Sequence, residues 1–322
     1  MVGQILVGDI GGTNARFALA SRGSLSCVHS SKAAEHTGVL EAATRFLSHE
    51  CEEAHLEGVA LGVAGPVHNG KSTITNTGWT VDRKALQSQL NCQAVYLLND
   101  FEALAWSLPR LSASDLVPLH AGKAVTDAPK LALGPGTGFG TACLLRHDGR
   151  FVTVAGEAGH STCPAASESD EEIIRHLRKR FDHVSIERVL SGPGLQNLYS
   201  ALAEISGTDV PERRASEIAE AGLQGSCEVC SRAVDAFCEM LGTVAGNLAL
   251  TFGAVGGVYI AGGIVPRILQ RLQRSGFEDR FLAKGRYRAY LQNIPVYVIV
   301  HPQASLVGLA AYFDAQTEAS GR

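Results

Sequence analysis

Two stretches constrain this chain more than any other feature. Gly8-Asp9-Ile10-Gly11-Gly12-Thr13-Asn14-Ala15-Arg16 and Gly134-Pro135-Gly136-Thr137-Gly138-Phe139-Gly140-Thr141 each set a glycine- and threonine-bearing turn between two strand-like runs. Adjacent or alternate glycines weaken a regular strand. They free the backbone to turn tightly and to aim N–H groups at an anion. A β–turn–β unit of this kind, met twice, predicts two related half-domains facing a cleft. Glycine is in excess throughout: 35 of 322 residues, or about 11%, against about 7% on average.

Composition then narrows the class. With 45% hydrophobic residues and a net charge of −4, the chain is too apolar and too weakly charged to be disordered. The slight acidity gives no electrostatic footprint for nucleic acid. The length suggests about two domains. Eight cysteines in a chain too long to need disulfide staples point to a reducing cytoplasm. Met1-Val2-Gly3-Gln4 has no basic segment and runs straight into a strand-like Ile5-Leu6-Val7-Gly8, so no signal peptide is expected. Cys227-Glu228-Val229-Cys230 lacks the second pair that a structural zinc site needs, and reads as two reduced helical cysteines. Leu241 to Val265 carries no charge, but its seven glycines split it. It reads as a buried helix followed by a strand at Gly257–Ala261, not as a membrane span.

Strand-like and helical patterns alternate along the chain, which argues an α/β fold. Strands are expected at Ile5–Val7, Arg16–Ala20, Leu25–His29, Gly58–Val63, Thr73–Thr75, Ala94–Leu98, Leu131–Leu133, Phe139–Leu145, Phe151–Val154 and Ile294–Val300. Helical spacing runs from Val39 to Ala54 and over Phe101–Leu108, Asp170–Arg180, Leu195–Ile205, Glu212–Ala221, Glu228–Thr251, from Ile264, and over Ala304–Phe313. Pro109 and the stretch Leu111–Pro118 break the pattern and mark a domain boundary.

Gly65-Pro66-Val67-His68-Asn69-Gly70-Lys71-Ser72 matches G-x-x-x-x-G-K-[ST] letter for letter. A phosphate loop of that type needs a helix directly after it, because the helix N-terminus supplies donors. Here β-branched Thr73-Ile74-Thr75 follows and Gly78 closes the run, so a strand–turn–strand is expected and the match is coincidental. The first glycine turn has better credentials: two glycines, the Thr13 hydroxyl, and Asp9 at a strand end, where a carboxylate can hold a divalent cation through water. Asn99-Asp100 closes a buried strand, where open α/β sheets place ligands. Asp100 suits a general base for an alcohol, and equally a helix cap. Glu157 and His160, in Gly156-Glu157-Ala158-Gly159-His160, and the later Glu187 suit bonds to sugar hydroxyls; a solvated loop is the plain alternative. No third ligand stands at recognisable spacing for a metal.

Taken together, these residues resemble the bacterial glucokinases, in the group without a zinc-binding cysteine motif. These belong to the superfamily of hexokinases, actin and sugar kinases. The carriers run from Leu6 to about Gly308: Val7–Ala18, Gly62–Val67, Thr75–Trp79, Asn99–Phe101, Gly134–Gly140, Glu157–His160, Ser191–Leu195 and Ala261–Ile264. The resemblance implies a two-domain actin/hexokinase-like (ribonuclease H-like) α/β fold with an interdomain cleft. Residues 1–110 plus 301–322 would form the small domain and 111–300 the large one. It implies ATP:D-glucose 6-phosphotransfer with Mg²⁺, in a cytoplasmic homodimer that needs neither nucleic acid nor membrane. The family's sugar ligands fall on Asn99, Asp100, Glu157, His160 and Glu187, with Asp100 as base. ATP falls on Gly8, Asp9, Ile10, Gly11, Gly12 and Thr13, on Gly136, Thr137 and Gly138, and on Gly262 and Gly263, with Asp9 reaching the metal through water. Two alternatives follow. One is a kinase for another hexose. The other is a non-catalytic sugar-sensing regulator; such relatives carry an N-terminal DNA-binding module, for which a first strand at Ile5 is expected to leave no room.

Overall fold

The computed structural model describes residues 3–50, 56–74, 77–92 and 94–320. Ala54, Thr75, Asn76 and Gln93 lie outside the described residues. The chain forms two compact units, Met1–Ser112 with His301–Arg322, and Ala113–Val300.

In the first unit, β1 (Gln4–Ile10), β2 (Asn14–Ser21) and β3 (Ser24–Lys32) form an antiparallel meander. Helix α1 (Val39–Glu50) leads to β4 (Leu56–Val63), which lies parallel to β1. A separate hairpin of β5 (Lys71–Ile74) and β6 (Trp79–Asp82) comes next, followed by α2 (Arg83–Gln89). Strand β7 (Ala94–Asn99) joins the sheet parallel to β4, and α3 (Asp100–Ser107) starts at its end. The sheet order is β3-β2-β1-β4-β7. Strands β1 and β4 are nearly continuous apolar runs, as sheets covered on both faces require.

The second unit repeats this order. Strands β9 (Lys130–Pro135), β10 (Phe139–His147) and β11 (Arg150–Gly156) form the meander, and β12 (Val258–Ile260) and β13 (Val296–Ile299) extend it in parallel. An antiparallel edge strand, β8 (Leu116–His120), completes the sheet β11-β10-β9-β12-β13-β8. Leu116–Pro118, read from the sequence as a break, is therefore strand. Pro118 is tolerated because β8 is an edge, where one missing donor costs no ladder bond.

The helices of this unit are α4 (Glu168–Leu177), α5 (Gly192–Ser206), α6 (Ala215–Gln224), α7 (Glu228–Phe252), and the short α8 (Leu269–Leu272), α9 (Phe277–Leu282) and α10 (Arg288–Leu291). The charge-free stretch resolves into the end of α7, a left-handed cap at Gly253 (φ 57°), and β12. Helix α7 is the one described helix long and apolar enough to cross a membrane, and it is the buried centre of this unit's core. The run expected to be helical from Ile264 begins as a 3-10 turn, Val265–Ile268, before α8. Beyond residue 300 the chain returns to the first unit as α11 (Ala304–Ser320), which packs on α3, β1 and β4.

Candidate active site

In the first unit, parallel register aligns the C-terminal ends of three strands: Ile10 pairs with Val63, and Val63 with Asn99. The Ala64 amide donates to Ile10 O at 3.0 Å, tying the ends together. Asp9, the Gly11–Thr13 turn and Asp100 therefore share one edge of the sheet. A Cβ added at Gly62 would sit 3.8 Å from Asp100 Cα, so the strand backbone and the start of α3 are close neighbours.

The turn after β1 is closed by the Gly11 amide, which donates to Asn14 O at 2.9 Å. The amides of Gly12 and Thr13 have no protein acceptor among the described residues. Two free consecutive amides form an anion-binding concavity. Gly8 and Ile10, on the strand that leads into this turn, also have a packing role. Ile10 is fully buried, and a Cβ at Gly8 would lie 2.7 Å from Leu61 and 2.8 Å from Phe17, so that glycine makes room for core packing.

Asp9 keeps 21% side-chain exposure and lies 3.7 Å from Arg16 Nη1. Burial pushes its carboxyl above the usual range, and the Arg16 charge only partly opposes that. A desolvated carboxylate with one distant cation is a site to which a hydrated divalent ion would be favourable.

Asn99 is the N-cap of α3. Its Oδ1 accepts from the amides of Phe101 (2.9 Å) and Glu102 (3.3 Å), and its Nδ2 donates to Gly65 O at 3.3 Å. The capping role open to both residues thus belongs to Asn99. Asp100 is the first helical residue, and its Oδ1 accepts from the Phe101 amide at 2.9 Å. The helix dipole favours negative charge at that position.

The Gly65–Ser72 stretch is followed by strand β5, not a helix, and Lys71 Nζ pairs with Asp82 Oδ2 at 2.8 Å. Gly65 adopts φ 143°, which only glycine takes without strain, and its carbonyl holds Asn99. In the sequence Gly65 belongs both to the coincidental phosphate-loop match and to the family-like run Gly62–Val67, and neither points to Asn99. That partner, 34 positions away, leaves no local signal.

In the second unit the remaining candidates converge. The Gly136 amide donates to Gly138 O at 2.8 Å, and the amides of Thr137 and Gly138 have no protein acceptor among the described residues. As in the first turn, one amide closes the loop and the next two are free, although the closing bond spans two residues here and three there. Glu187 Oε2 accepts from the Phe139 amide at 3.0 Å, and the Glu187 amide donates to Gly159 O at 2.8 Å. One residue thus bridges the glycine turn and the Glu157–His160 segment. That segment folds as a 3-10 turn at Ala158–His160, with Glu157 and His160 exposed. Ser191 Oγ donates to Glu187 O at 2.7 Å and accepts from the Gly194 amide at 2.9 Å as the N-cap of α5. Gly262 (φ 95°) backs onto Pro135 so closely that a Cβ would overlap its carbonyl, whereas Gly263 is open. The Gly262-Gly263 pair therefore adjoins the Gly136–Gly138 turn. Sequence reasoning missed the Phe139 amide, because a backbone donor carries no residue signature.

Comparisons with known proteins agree with one another. The family model described as Glucokinase matches residues 6–316. The glucokinase of Nitrobacter hamburgensis is 40% identical over 95% of this chain and 95% of its own length. That of Aromatoleum aromaticum is 42% identical over 96% of this chain and 94% of its own. The crystal structure of a glucokinase from an Antarctic psychrotroph superposes with a TM-score of 0.88 at 36% identity, covering 98% of this chain and 99% of that one.

Proposed function

The chain belongs to the glucokinase family, and on that premise we propose how its residues move the γ-phosphoryl group of ATP to the 6-hydroxyl of glucose. The two glycine turns, each with consecutive free amides, cradle the ATP phosphates at Gly11–Thr13 and Gly136–Gly138. Gly262 and Gly263 adjoin the second turn and lie near the adenosine, Gly262 packed on Pro135 and Gly263 open to the ligand. Asn99, Glu157, His160 and Glu187 hold the sugar hydroxyls. Asp100, fixed at the start of α3, accepts the proton of the attacking hydroxyl. Glu187 is oriented for its part by the Phe139 amide.

Asp9 suits Mg²⁺, bound through water, because burial penalises its charge and one arginine at 3.7 Å offsets only part of the penalty. When bound, the ion neutralises charge on the phosphates. We place the enzyme in the cytoplasm as a homodimer. The single observation that most supports phosphoryl transfer is the recurrence of a glycine turn with two consecutive free amides, between the first two strands of a meander, on two sheets whose first five strands follow the same order.

A coupled ADP-release assay with glucose, mannose, fructose and N-acetylglucosamine tests the substrate. Glucose should give the highest kcat/KM; a different leader moves the enzyme to another hexose, and no turnover with any leaves the sensor alternative. Asp100→Asn should lower kcat by about 10³-fold or more, with glucose binding by calorimetry largely kept. A kcat within tenfold of the parent would remove Asp100 as the base.

A further inference from the structure

Far along the chain from every residue assigned above, the first turn of α7 holds two thiols. Cys227 is the helix N-cap, with extended backbone (φ −144°, ψ 116°), and its Sγ accepts from the Cys230 amide at 3.4 Å. Cys230 is fully buried, while Cys227 is partly exposed. The hydrogen bond from the Cys230 amide holds the Cys227 sulfur over the first turn of the helix that carries Cys230. Residues three apart on a helix have Cα atoms roughly 5 Å apart, inside the range a disulfide spans. The Arg213 guanidinium is close enough for its charge to act on both thiols, and its Nε is buried with no hydrogen-bond partner among the described residues.

We propose that Cys227 and Cys230 are a peroxide-oxidised dithiol, with Cys227 as the attacking thiol and Cys230 as the resolving one. The environment divides the roles. Burial resists ionisation of Cys227, but hydrogen bonds from Cys230 and Val229 and the Arg213 charge together hold its thiol below the usual value. Burial, and then Cys227 itself, push Cys230 up to about 12. The same burial effect puts Cys143 at about 11 and Cys163 and Cys238 at about 12, with no opposing helix terminus, so these three are inert controls.

The chemistry balances. The Cys227 thiolate attacks one oxygen of hydrogen peroxide; the O–O bond breaks, and the departing hydroxide takes a proton to become water. Cys227 is then a sulfenic acid. The Cys230 sulfur attacks the Cys227 sulfur; an S–S bond forms, the S–O bond breaks, and the hydroxyl leaves as water with the Cys230 proton. Two thiols and one peroxide give one disulfide and two waters. A dithiol reductant reverses the change.

The sequence provides a direct assay. Trypsin cuts after Arg214 and Arg232, so the peptide Ala215–Arg232 carries both cysteines and no other. Full-length reduced protein is treated with hydrogen peroxide near neutral pH, blocked with N-ethylmaleimide and digested without reductant. The expected product is this peptide lighter by two hydrogen atoms and unlabelled, restored to two labels by dithiothreitol. Iodoacetamide should modify Cys227 about tenfold faster than the exposed Cys27. In Cys230→Ser, peroxide should stop at a Cys227 sulfenic acid that dimedone traps. The proposal fails if native Cys227 alkylates no faster than Cys27. It also fails if peroxide carries Cys227 to the sulfinic acid with no linked peptide. Both readings come from the parent protein and need no variant to fold.

Discussion

Gly134 and Gly136 stand two positions apart and owe their identity to different neighbours. A Cβ at Gly134 would overlap the carbonyl of Ala261, whose amide donates to Leu133 O at 2.8 Å, whereas a Cβ at Gly136 meets nothing within 4 Å. Gly134→Ala should therefore destabilise the fold, by about 1–3 kcal/mol for overpacking against backbone. Gly136→Ala should melt like the parent, and should raise the KM for ATP if a phosphate approaches that backbone. Thermal melts paired with ATP kinetics separate the two; an equal effect of both on stability would contradict the geometry. Asp9 makes a second prediction. Its folded pKa lies above its unfolded one, so its contribution to stability is full only below the unfolded value, about 4, and is lost as pH rises through the folded value. At neutral pH the buried carboxylate is thus a cost. Asp9→Asn should melt higher than the parent there, with the gap closing as pH falls into the carboxylate range, while activity drops. A parent that melts higher at neutral pH would mean that the Arg16 pair outweighs desolvation.

At the scale of elements, legibility followed length and burial. Strands β1 and β4 and helix α7 were visible in the sequence because long apolar runs leave little choice of where to go. The extra turn at the start of α5 was not, since Gly192-Pro193-Gly194 looks like a loop. Proline suits the first turn of a helix, and Ser191 supplies the cap. Helix α9, only six residues long, offers too little periodicity to detect. Of the candidate site, the glycine turns and the strand-end carboxylates could be read, because residue type carries them. The long-range bonds from Asn99 to Gly65 and from Phe139 to Glu187 could not, because they join backbone atoms to side chains across 34 and 48 positions. The hairpin β5–β6 tests the one motif that misled by its letters. Lys71 is 63% exposed and bonded to Asp82, a solvent-screened surface pair that contributes little. Lys71→Ala should keep near-full kcat and an unchanged KM for ATP in the coupled assay. A large rise in that KM would restore the phosphate-loop reading.

At the scale of the molecule, a chain ending at Val300 would contain every candidate site residue, from Asp9 to Gly263, yet it would lack α11. That helix buries Leu306, Leu309 and Phe313 in the first unit. Tyr312 meets Trp106 edge-on at 5.1 Å, and Phe313 meets Tyr96 at 5.5 Å. Gly308 lies so close to Ala103 that any side chain would overlap its carbonyl, so α11 and α3 pack nearly backbone to backbone. Burying the Leu306, Leu309 and Phe313 side chains contributes roughly 5–9 kcal/mol, at about 1.5–3 each. That is comparable to the whole stability of a typical domain, about 5–15 kcal/mol. Helix α3 carries Asp100 at its first position, so loss of its packing partner also loosens the proposed base. The truncated chain should therefore bind a hydrophobic dye, lose the cooperative melt of the first unit and retain under about 1% of the parent's kcat/KM, a fall on the order expected when a catalytic group is no longer held in place. A truncated chain that melts and turns over like the parent would mean that the first unit is complete without its returning helix, and that the buried aromatic contacts of α11 contribute little to placing Asp100.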